Sequence, residues 1–252
     1  MTASLQGKVV LISGTGGGQG REAALRFAGA GAHVVGCDLK EAGNRETAAL
    51  VRAAGGAITT MEPVDLSDPQ IARRWIEDAV AVRGRIDVLY NNASAARFAP
   101  IESFSVEDWQ FTVRNELDIV FYATRFAWPH LQKDGGVIIN VASVAGMVGS
   151  AVGGTAHAAT KGAIIAMTRQ LAVEGAPHQI RVNSISPGVI ESPGTAPMLA
   201  DPAFRELMLA HNLIKRVGQP KDVVGVALFL AGEDAGYITG ANIVVDGGFA
   251  CF

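Results

Sequence analysis

Residues 9–20 read VVLISGTGGGQG, a short apolar run that leads into a turn with five glycines. Residues 21–28, which follow, have the apolar spacing of a helix. This order places free backbone N–H groups and the positive end of a helix dipole at one point. The turn is suited to binding a phosphate group, because glycines let the backbone approach it closely. The alternative is a flexible glycine turn that binds no ligand.

Strand and helix patterns alternate along the whole chain. Segments with helical spacing separate short apolar runs that are typical of buried strands. This alternation predicts an α/β fold, a Rossmann-type doubly wound parallel sheet of about seven strands with helices on both faces. Functional residues are expected beyond the carboxyl ends of the strands. The apolar runs are residues 9–12, 33–37, 86–90, 137–141, 181–185 and 243–245, with a weaker one at residues 57–61.

Composition limits the number of domains and the classes of partner. A chain of 252 residues with 49% hydrophobic content can bury one substantial core, so we expect a single domain over residues 1–252. The formal charge of -3 provides no basic field for nucleic acid or an anionic membrane. Cys37 and Cys251 are not spaced as metal ligands, and the N-terminus lacks a signal-peptide pattern. We expect a cytoplasmic protein with no metal, nucleic-acid or membrane partner.

Two acidic residues follow predicted strands. Asp38 ends the second strand, where a carboxylate can accept hydrogen bonds from the hydroxyls of an adenosine ribose. Because it would repel a 2′-phosphate, it favours NAD over NADP as the cofactor; its alternative role is a turn or helix cap. Asp65 either contacts the adenine or belongs to a capped turn with Ser67 and Asp68.

Further motifs follow the glycine-rich turn of residues 13–20 along the chain: NNAS at 91–94, NVAS at 140–143, PG at 187–188 and DGG at 246–248. In these motifs and their order the chain resembles the short-chain dehydrogenase/reductase family over essentially its whole length. The resemblance implies a cofactor site formed by Gly14, Gly18, Gln19, Gly20, Asn92, Lys161, Pro187, Gly188 and Ser192, beside Asp38 and Asp65. The matching elements are residues 13–20 for the TGxxxGxG turn, 91–94 (NNAS) for NNAG, 140–143 (NVAS) for the strand that ends in the catalytic Ser, 187–188 (PG) and 246–248 (DGG).

The resemblance also implies the catalytic residues, with one departure. Asn115, Ser143 and Lys161 match the family's relay Asn, its substrate-positioning Ser and its ribose-binding Lys, but the expected Tyr is His157. His157 lies one helical turn before Lys161, so both side chains are expected on one face. A neutral imidazole can accept an alcohol proton near neutral pH, and a neighbouring ammonium disfavours its protonation.

These residues predict an NAD-dependent alcohol dehydrogenase or carbonyl reductase that acts on a secondary alcohol or ketone, with the nicotinamide carrying the hydride. One alternative is non-redox acid/base chemistry by His157, such as elimination or hydration. Another is an NAD-binding protein with weak or no catalysis. The family resemblance also implies a homotetramer.

Residues 188–212 are expected to form a loop that covers the substrate, since prolines punctuate residues 187–202. Its apolar side chains either pack onto the domain, which is predicted for most of them, or cover an apolar substrate. They are Ile190, Met198, Leu199, Phe204, Leu207 and Met208.

Overall fold

The computed structural model describes residues 4–149 and 153–251. In these residues one sheet is flanked by helices on both faces. The strands are β1 (Val9–Ser13), β2 (His33–Cys37), β3 (Ala57–Met61), β4 (Val88–Asn91), β5 (Gly136–Val141), β6 (Ile180–Pro187) and β7 (Asn242–Val245). The helices are α1 (Gly18–Gly29), α2 (Glu41–Ala53), α3 (Pro69–Arg83), α4 (Val106–Val113), α5 (Ile119–Asp134), α6 (Thr155–Gly175), α7 (Ala196–Leu199), α8 (Pro202–Leu209) and α9 (Pro220–Ala231).

The strands are all parallel and lie in the order β3-β2-β1-β4-β5-β6-β7. The strand order reverses direction between β1 and β4, which is the point where doubly wound sheets bind their ligands. The predicted single-domain, doubly wound parallel sheet is confirmed. The apolar runs at residues 33–37 and 57–61 coincide with β2 and β3.

A separate apolar cluster fills the space on each face of the sheet. On one face, Phe27 of α1 and Leu228 of α9 pack against the strands. On the other, Trp75 of α3, Leu131 of α5 and Ile164 of α6 do so. Because helices cover both faces, the central strands are apolar on both sides, and this is why they read as continuous apolar runs. The two clusters hold the carboxyl ends of the strands at one edge.

Residues 188–212 are not simply a loop, because they contain α7 and α8. Pro202 occupies the first turn of α8, and the Asp201 side chain caps that helix by accepting the Ala203 amide proton at 2.9 Å. A proline at the start of a helix loses no hydrogen bond, so this proline begins a helix. The apolar side chains of this segment differ in burial: Ile190 is buried and Met198 and Leu207 are exposed. The remaining three, Leu199, Phe204 and Met208, are partly buried, so the packing expected for most of these side chains stays a prediction.

A π-helical segment, Arg114–Asp118, joins α4 to α5. A π-helical turn changes the direction of the side chains relative to an uninterrupted α-helix, and such turns are frequent at functional sites. Helix α6 packs against this segment. None of the helices in the described ranges combines the length and apolar character needed to cross a membrane.

Candidate functional site

The glycine-rich turn after β1 has a backbone that requires glycine. Gly14 and Gly18 have φ angles of +77° and +50°, in the left-handed region. A Cβ on Gly20 would overlap the Gly14 carbonyl group and lie 2.7 Å from its carbon atom. The N-cap of α1 is Gly17, which has no side chain to occupy the helix end. The turn therefore fits the pyrophosphate of a dinucleotide, whose charge the helix N-terminus favours.

The Asp38 carboxylate lies beside this turn. Its Oδ2 accepts the Gly16 amide proton at 2.7 Å, and its Oδ1 accepts the Lys40 amide proton at 2.7 Å. The alternative role of Asp38 as a turn residue is therefore present in the structure, while a ribose contact stays a prediction. Asp65 accepts the Ser67 amide proton at 2.9 Å, so it forms the capped turn. Its contact with adenine stays a prediction.

Asn92 and Gln19 have different surroundings at the same edge. The Asn92 side-chain amide donates to the Ser13 carbonyl oxygen at 3.0 Å, which ties the end of β4 to the end of β1. The Oε1 atom of Gln19 is buried and has no hydrogen-bond partner in the part of the chain that the structure describes. Buried polar atoms are normally satisfied, so Gln19 suits contact with a ligand hydroxyl.

The segment after β6 returns to the glycine-rich turn. The Gly188 amide donates to the Val245 carbonyl oxygen at 3.0 Å, directly after Pro187. Ser192 lies against Gly18, where a Cβ built on that glycine would be 3.3 Å from the Ser192 Cβ. The structure thus brings the predicted lid together with the predicted cofactor turn.

Ser143 follows the carboxyl end of β5, and the Lys161 side chain reaches the last residue of that strand. Ser143 caps a short 3-10 turn, because its Oγ accepts the Ala145 amide proton at 3.1 Å. The buried Lys161 extends from α6, and its Nζ donates to the Val141 carbonyl oxygen at 3.2 Å. Burial lowers the pKa of Lys161, although the nearby carboxylate of Glu116 acts in the opposite direction.

Asn115, the predicted relay residue, lies in the π-helical segment. Its side-chain amide donates to the Phe111 carbonyl oxygen at 2.9 Å, and its backbone carbonyl oxygen accepts the Ala95 amide proton at 3.2 Å. It therefore ties this segment to the chain that follows β4. A role for Asn115 in a proton relay stays a prediction.

Glu116 is the site residue that the sequence analysis did not find. Its side chain is buried and accepts hydrogen bonds from the Ser94 and Thr160 hydroxyls, each at 2.6 Å. The Nδ1 atom of His157 lies 2.9 Å from Oε1 and 3.0 Å from Oε2. The Lys161 ammonium is 3.7 Å from Oε1. One carboxylate thus connects the histidine and the lysine of the predicted catalytic group.

The ionisation of Glu116 gives a prediction for acid stability. Burial opposes its charge, but the Lys161 ammonium and hydrogen bonds from His157 and Ser94 outweigh burial and lower the pKa of Glu116 from 4.5 to about 2. A carboxyl group whose pKa is lower in the folded state stabilises the fold above its unfolded pKa, and this contribution is lost as the pH falls through the folded pKa.

As the pH falls from 4.5 to about 2, we therefore expect protonation of Glu116 to lower the free energy of unfolding by on the order of 3 kcal/mol. Chemical denaturation at several pH values measures this loss. The curve of Glu116→Gln is expected to be flatter over the same range. Parallel curves for the two proteins would contradict the prediction.

The fold and the glycine-rich turn define a dinucleotide-binding protein of the Rossmann type. The family described as enoyl-(acyl carrier protein) reductase matches residues 14–250. Meso-2,3-butanediol dehydrogenase of Serratia marcescens is 36% identical over 242 residues, which are 96% of this chain and 94% of that protein. The 3-oxoacyl-[acyl-carrier-protein] reductase FabG of Thermotoga maritima is 38% identical over 247 residues, which are 97% of this chain and 98% of that protein.

A solved structure extends the likeness to three dimensions. It is that of 7 alpha-hydroxysteroid dehydrogenase complexed with NADH and 7-oxo glycochenodeoxycholic acid, and its TM-score is 0.92 at 30% identity. The alignment covers 97% of this chain and 95% of that one. The chain belongs to the short-chain dehydrogenase/reductase family. Its homologues support an oxidoreductase of small alcohols or ketones that uses a nicotinamide dinucleotide.

Proposed function

We propose that this protein is an NAD-dependent dehydrogenase that interconverts a secondary alcohol and a ketone, with Ser143, His157 and Lys161 at the reacting centre. The observation that carries the proposal is the placement of α6. Lys161 contacts the carbonyl oxygen of Val141, two residues before Ser143, and His157 lies one turn earlier on the same helix. This spacing supports the proposal that His157 takes the position of the family's catalytic tyrosine.

Each of these residues has a distinct role in the proposed reaction. When bound, the nicotinamide accepts or supplies the hydride. The Ser143 hydroxyl has one proton to donate and orients the substrate oxygen. His157 removes the proton of the alcohol during oxidation and returns it during reduction. Lys161 keeps donor capacity beyond its bond to Val141 and holds the nicotinamide ribose, while Asn115 completes the proton relay.

The remaining site residues form the proposed cofactor and substrate surfaces. The glycine-rich turn holds the pyrophosphate, Asp38 holds the adenosine ribose, and Ser192 contacts the carboxamide. Residues 188–212 form the lid, in which Met198 and Leu207 are 41% and 51% exposed. Exposed apolar side chains on a lid suit an apolar substrate, because binding the substrate removes them from water. The other proposed cofactor residues are Asp65, Asn92, Pro187 and Gly188.

The preference for NAD is tested by Asp38→Ser. The wild-type carboxylate repels a 2′-phosphate, and such a pair of close negative charges costs a few kcal/mol at a partly exposed edge. We expect the ratio of kcat/KM with NAD to kcat/KM with NADP to fall by roughly 10–100-fold. Steady-state kinetics with both cofactors measure it.

Glu41→Gln is the matched control, because it removes an exposed carboxylate from the first turn of α2. It should leave the cofactor ratio within about twofold. An unchanged ratio in Asp38→Ser would remove the basis for assigning NAD.

The proposed function is tested by cofactor absorbance with NAD and NADP across a panel of secondary alcohols and ketones. A dehydrogenase changes the absorbance of the nicotinamide as the substrate turns over. Substrate turnover without that change would identify a lyase, and cofactor binding without turnover would identify a sensor. Either of these results would overturn the proposal.

The proposal extends to assembly and location. The family resemblance supports a homotetramer, and two cysteines in the whole chain suit a reducing compartment such as the cytoplasm. Analytical ultracentrifugation of the purified protein tests the tetramer. A monomer at micromolar concentration would contradict it.

A further inference from the structure

The buried Glu116 carboxylate is held by partners from two directions. Ser94, in the chain after β4, donates its hydroxyl proton to Oε1, and Thr160 of α6 donates to Oε2. His157 and Lys161 approach from the same helix as Thr160. Burying a carboxylate is costly unless it is paired and hydrogen-bonded, so this arrangement fixes both the position and the charge of Glu116.

The protonation of Glu116 determines which nitrogen of His157 carries a hydrogen. The pKa of Glu116 is lowered to about 2, so at neutral pH the carboxylate is ionised and can only accept hydrogen bonds. The Nδ1 atom of His157, at 2.9 Å from Oε1, must therefore be the donor. In a neutral imidazole this leaves Nε2 unprotonated.

The imidazole ring is also held from another side. The rings of Phe98 and His157 contact each other with their centroids 5.4 Å apart and their planes inclined at 54°. The carboxylate fixes one end of the imidazole, and the phenyl ring limits its rotation. The side chain is only 19% exposed, so Nε2 has a restricted set of directions.

We infer that Glu116 is a positioning residue that holds His157 in the Nδ1–H tautomer, so that Nε2 exchanges the proton with the substrate oxygen. The inference rests on the proposed function, in which His157 moves that proton. In oxidation the O–H bond of the alcohol breaks and an Nε2–H bond forms. The C–H bond of the carbon that carries this hydroxyl breaks and its hydride would pass to the NAD⁺ of the proposed function, so the alcohol is oxidised to a C=O group as NAD⁺ is reduced. Glu116 stays ionised and stabilises the imidazolium, as the carboxylate does in a Ser-His-Asp triad.

Long-range ¹H–¹⁵N NMR of the resting wild-type protein tests the tautomer without any need for turnover. We expect the His157 signals of an Nδ1–H imidazole at neutral pH, and a mixture of tautomers in Glu116→Gln, because a neutral amide can donate as well as accept. An Nε2–H tautomer in the wild type would overturn the inference, whatever the activity measurements give. Absence of redox turnover with the Nδ1–H tautomer present would instead overturn the proposed function.

Kinetics then test whether the tautomer matters. Glu116→Gln should lower kcat for oxidation by roughly 10²–10⁴-fold, with a smaller change in KM. Glu174→Gln is the matched control, because it removes an exposed carboxylate near the other end of α6, and it should retain kcat within about twofold. Equal kcat in Glu116→Gln and the wild type would contradict the inference.

A second variant keeps the test valid if Glu116→Gln does not fold. Thr160→Val removes one hydrogen bond to the carboxylate with little change in shape. We expect a smaller loss of kcat, roughly 3–30-fold, because the loss of one hydrogen bond leaves Glu116 in place but less well held. Unchanged kcat in folded Thr160→Val would count against a positioning role.

Discussion

Replacing His157 with phenylalanine is expected to lower kcat/KM for oxidation of a secondary alcohol by roughly 10²–10⁴-fold, the usual contribution of general acid–base catalysis. Phenylalanine keeps a planar ring against Phe98 but has no nitrogen to accept the proton. It also leaves Glu116 without one of its hydrogen bonds, so a loss of about 1–3 kcal/mol in the free energy of unfolding is expected. Steady-state kinetics and chemical denaturation measure the two effects separately.

Two further variants define what this result means. His178→Phe changes a histidine at the amino end of β6, where its ring contacts the Gln132 side chain, and should leave kcat/KM within about twofold. His157→Tyr places a phenol one turn before Lys161 and should retain turnover with a different pH dependence. Wild-type activity in His157→Phe would contradict the role of His157. Turnover by His157→Tyr alone would show that the native protein lacks the redox reaction.

The fold was predictable because its signals are local and periodic. β2 lies inside the sheet and is buried over almost its whole length, and this produces the continuous apolar run that locates it. β3 is the edge strand and is mostly only partly buried, so its run is weaker. The glycine-rich turn adds a second local signal, because its positive φ angles at Gly14 and Gly18 favour glycine at those positions. The helices within residues 188–212 were missed, because prolines mark both loops and the first turns of helices. The capping contact of Asp201 shows that Pro202 begins a helix. The spacing of the prolines in the sequence does not predict that contact.

The candidate site was predictable only where its residues share one element or one motif. His157 and Lys161 are one turn apart on α6, so their spacing alone predicts that they lie together. Glu116 reaches them through the π-helical segment and the packing of that segment against α6, neither of which has a sequence period. The signal was indirect: Ser94 and His157 both depart from the family pattern, and both contact Glu116. Each of these two departures therefore places a hydrogen-bond partner beside the same buried carboxylate.

The glycine-rich turn supplies the second large effect. Gly20→Ala adds a Cβ where the Gly14 carbonyl group and, at 2.9 Å, the Asn92 side-chain amide already lie. The obstructing group is largely backbone at the end of β1, so the turn must open for the side chain to fit. We expect the Kd for NADH to rise by roughly 100-fold or more, since displaced amides no longer converge on the pyrophosphate. Overpacking should also lower the free energy of unfolding by about 1–3 kcal/mol.

The same helix offers a matched control for this effect. Gly29 lies at the end of α1, and a Cβ there would meet no atom within 4 Å among the described residues, apart from its chain neighbours and its own helix backbone. Gly29→Ala should therefore bind NADH as the wild type does and gain up to about 1 kcal/mol of stability from helix propensity. Calorimetric titration measures the affinity of both variants for NADH, and thermal unfolding measures their stability. Together they show whether only the turn requires glycine or whether α1 is sensitive to any Gly→Ala substitution. Wild-type affinity for NADH in Gly20→Ala would show that the turn can open and still bind the dinucleotide. This result would contradict the prediction that dinucleotide binding depends on the close backbone contact between Gly20 and Gly14.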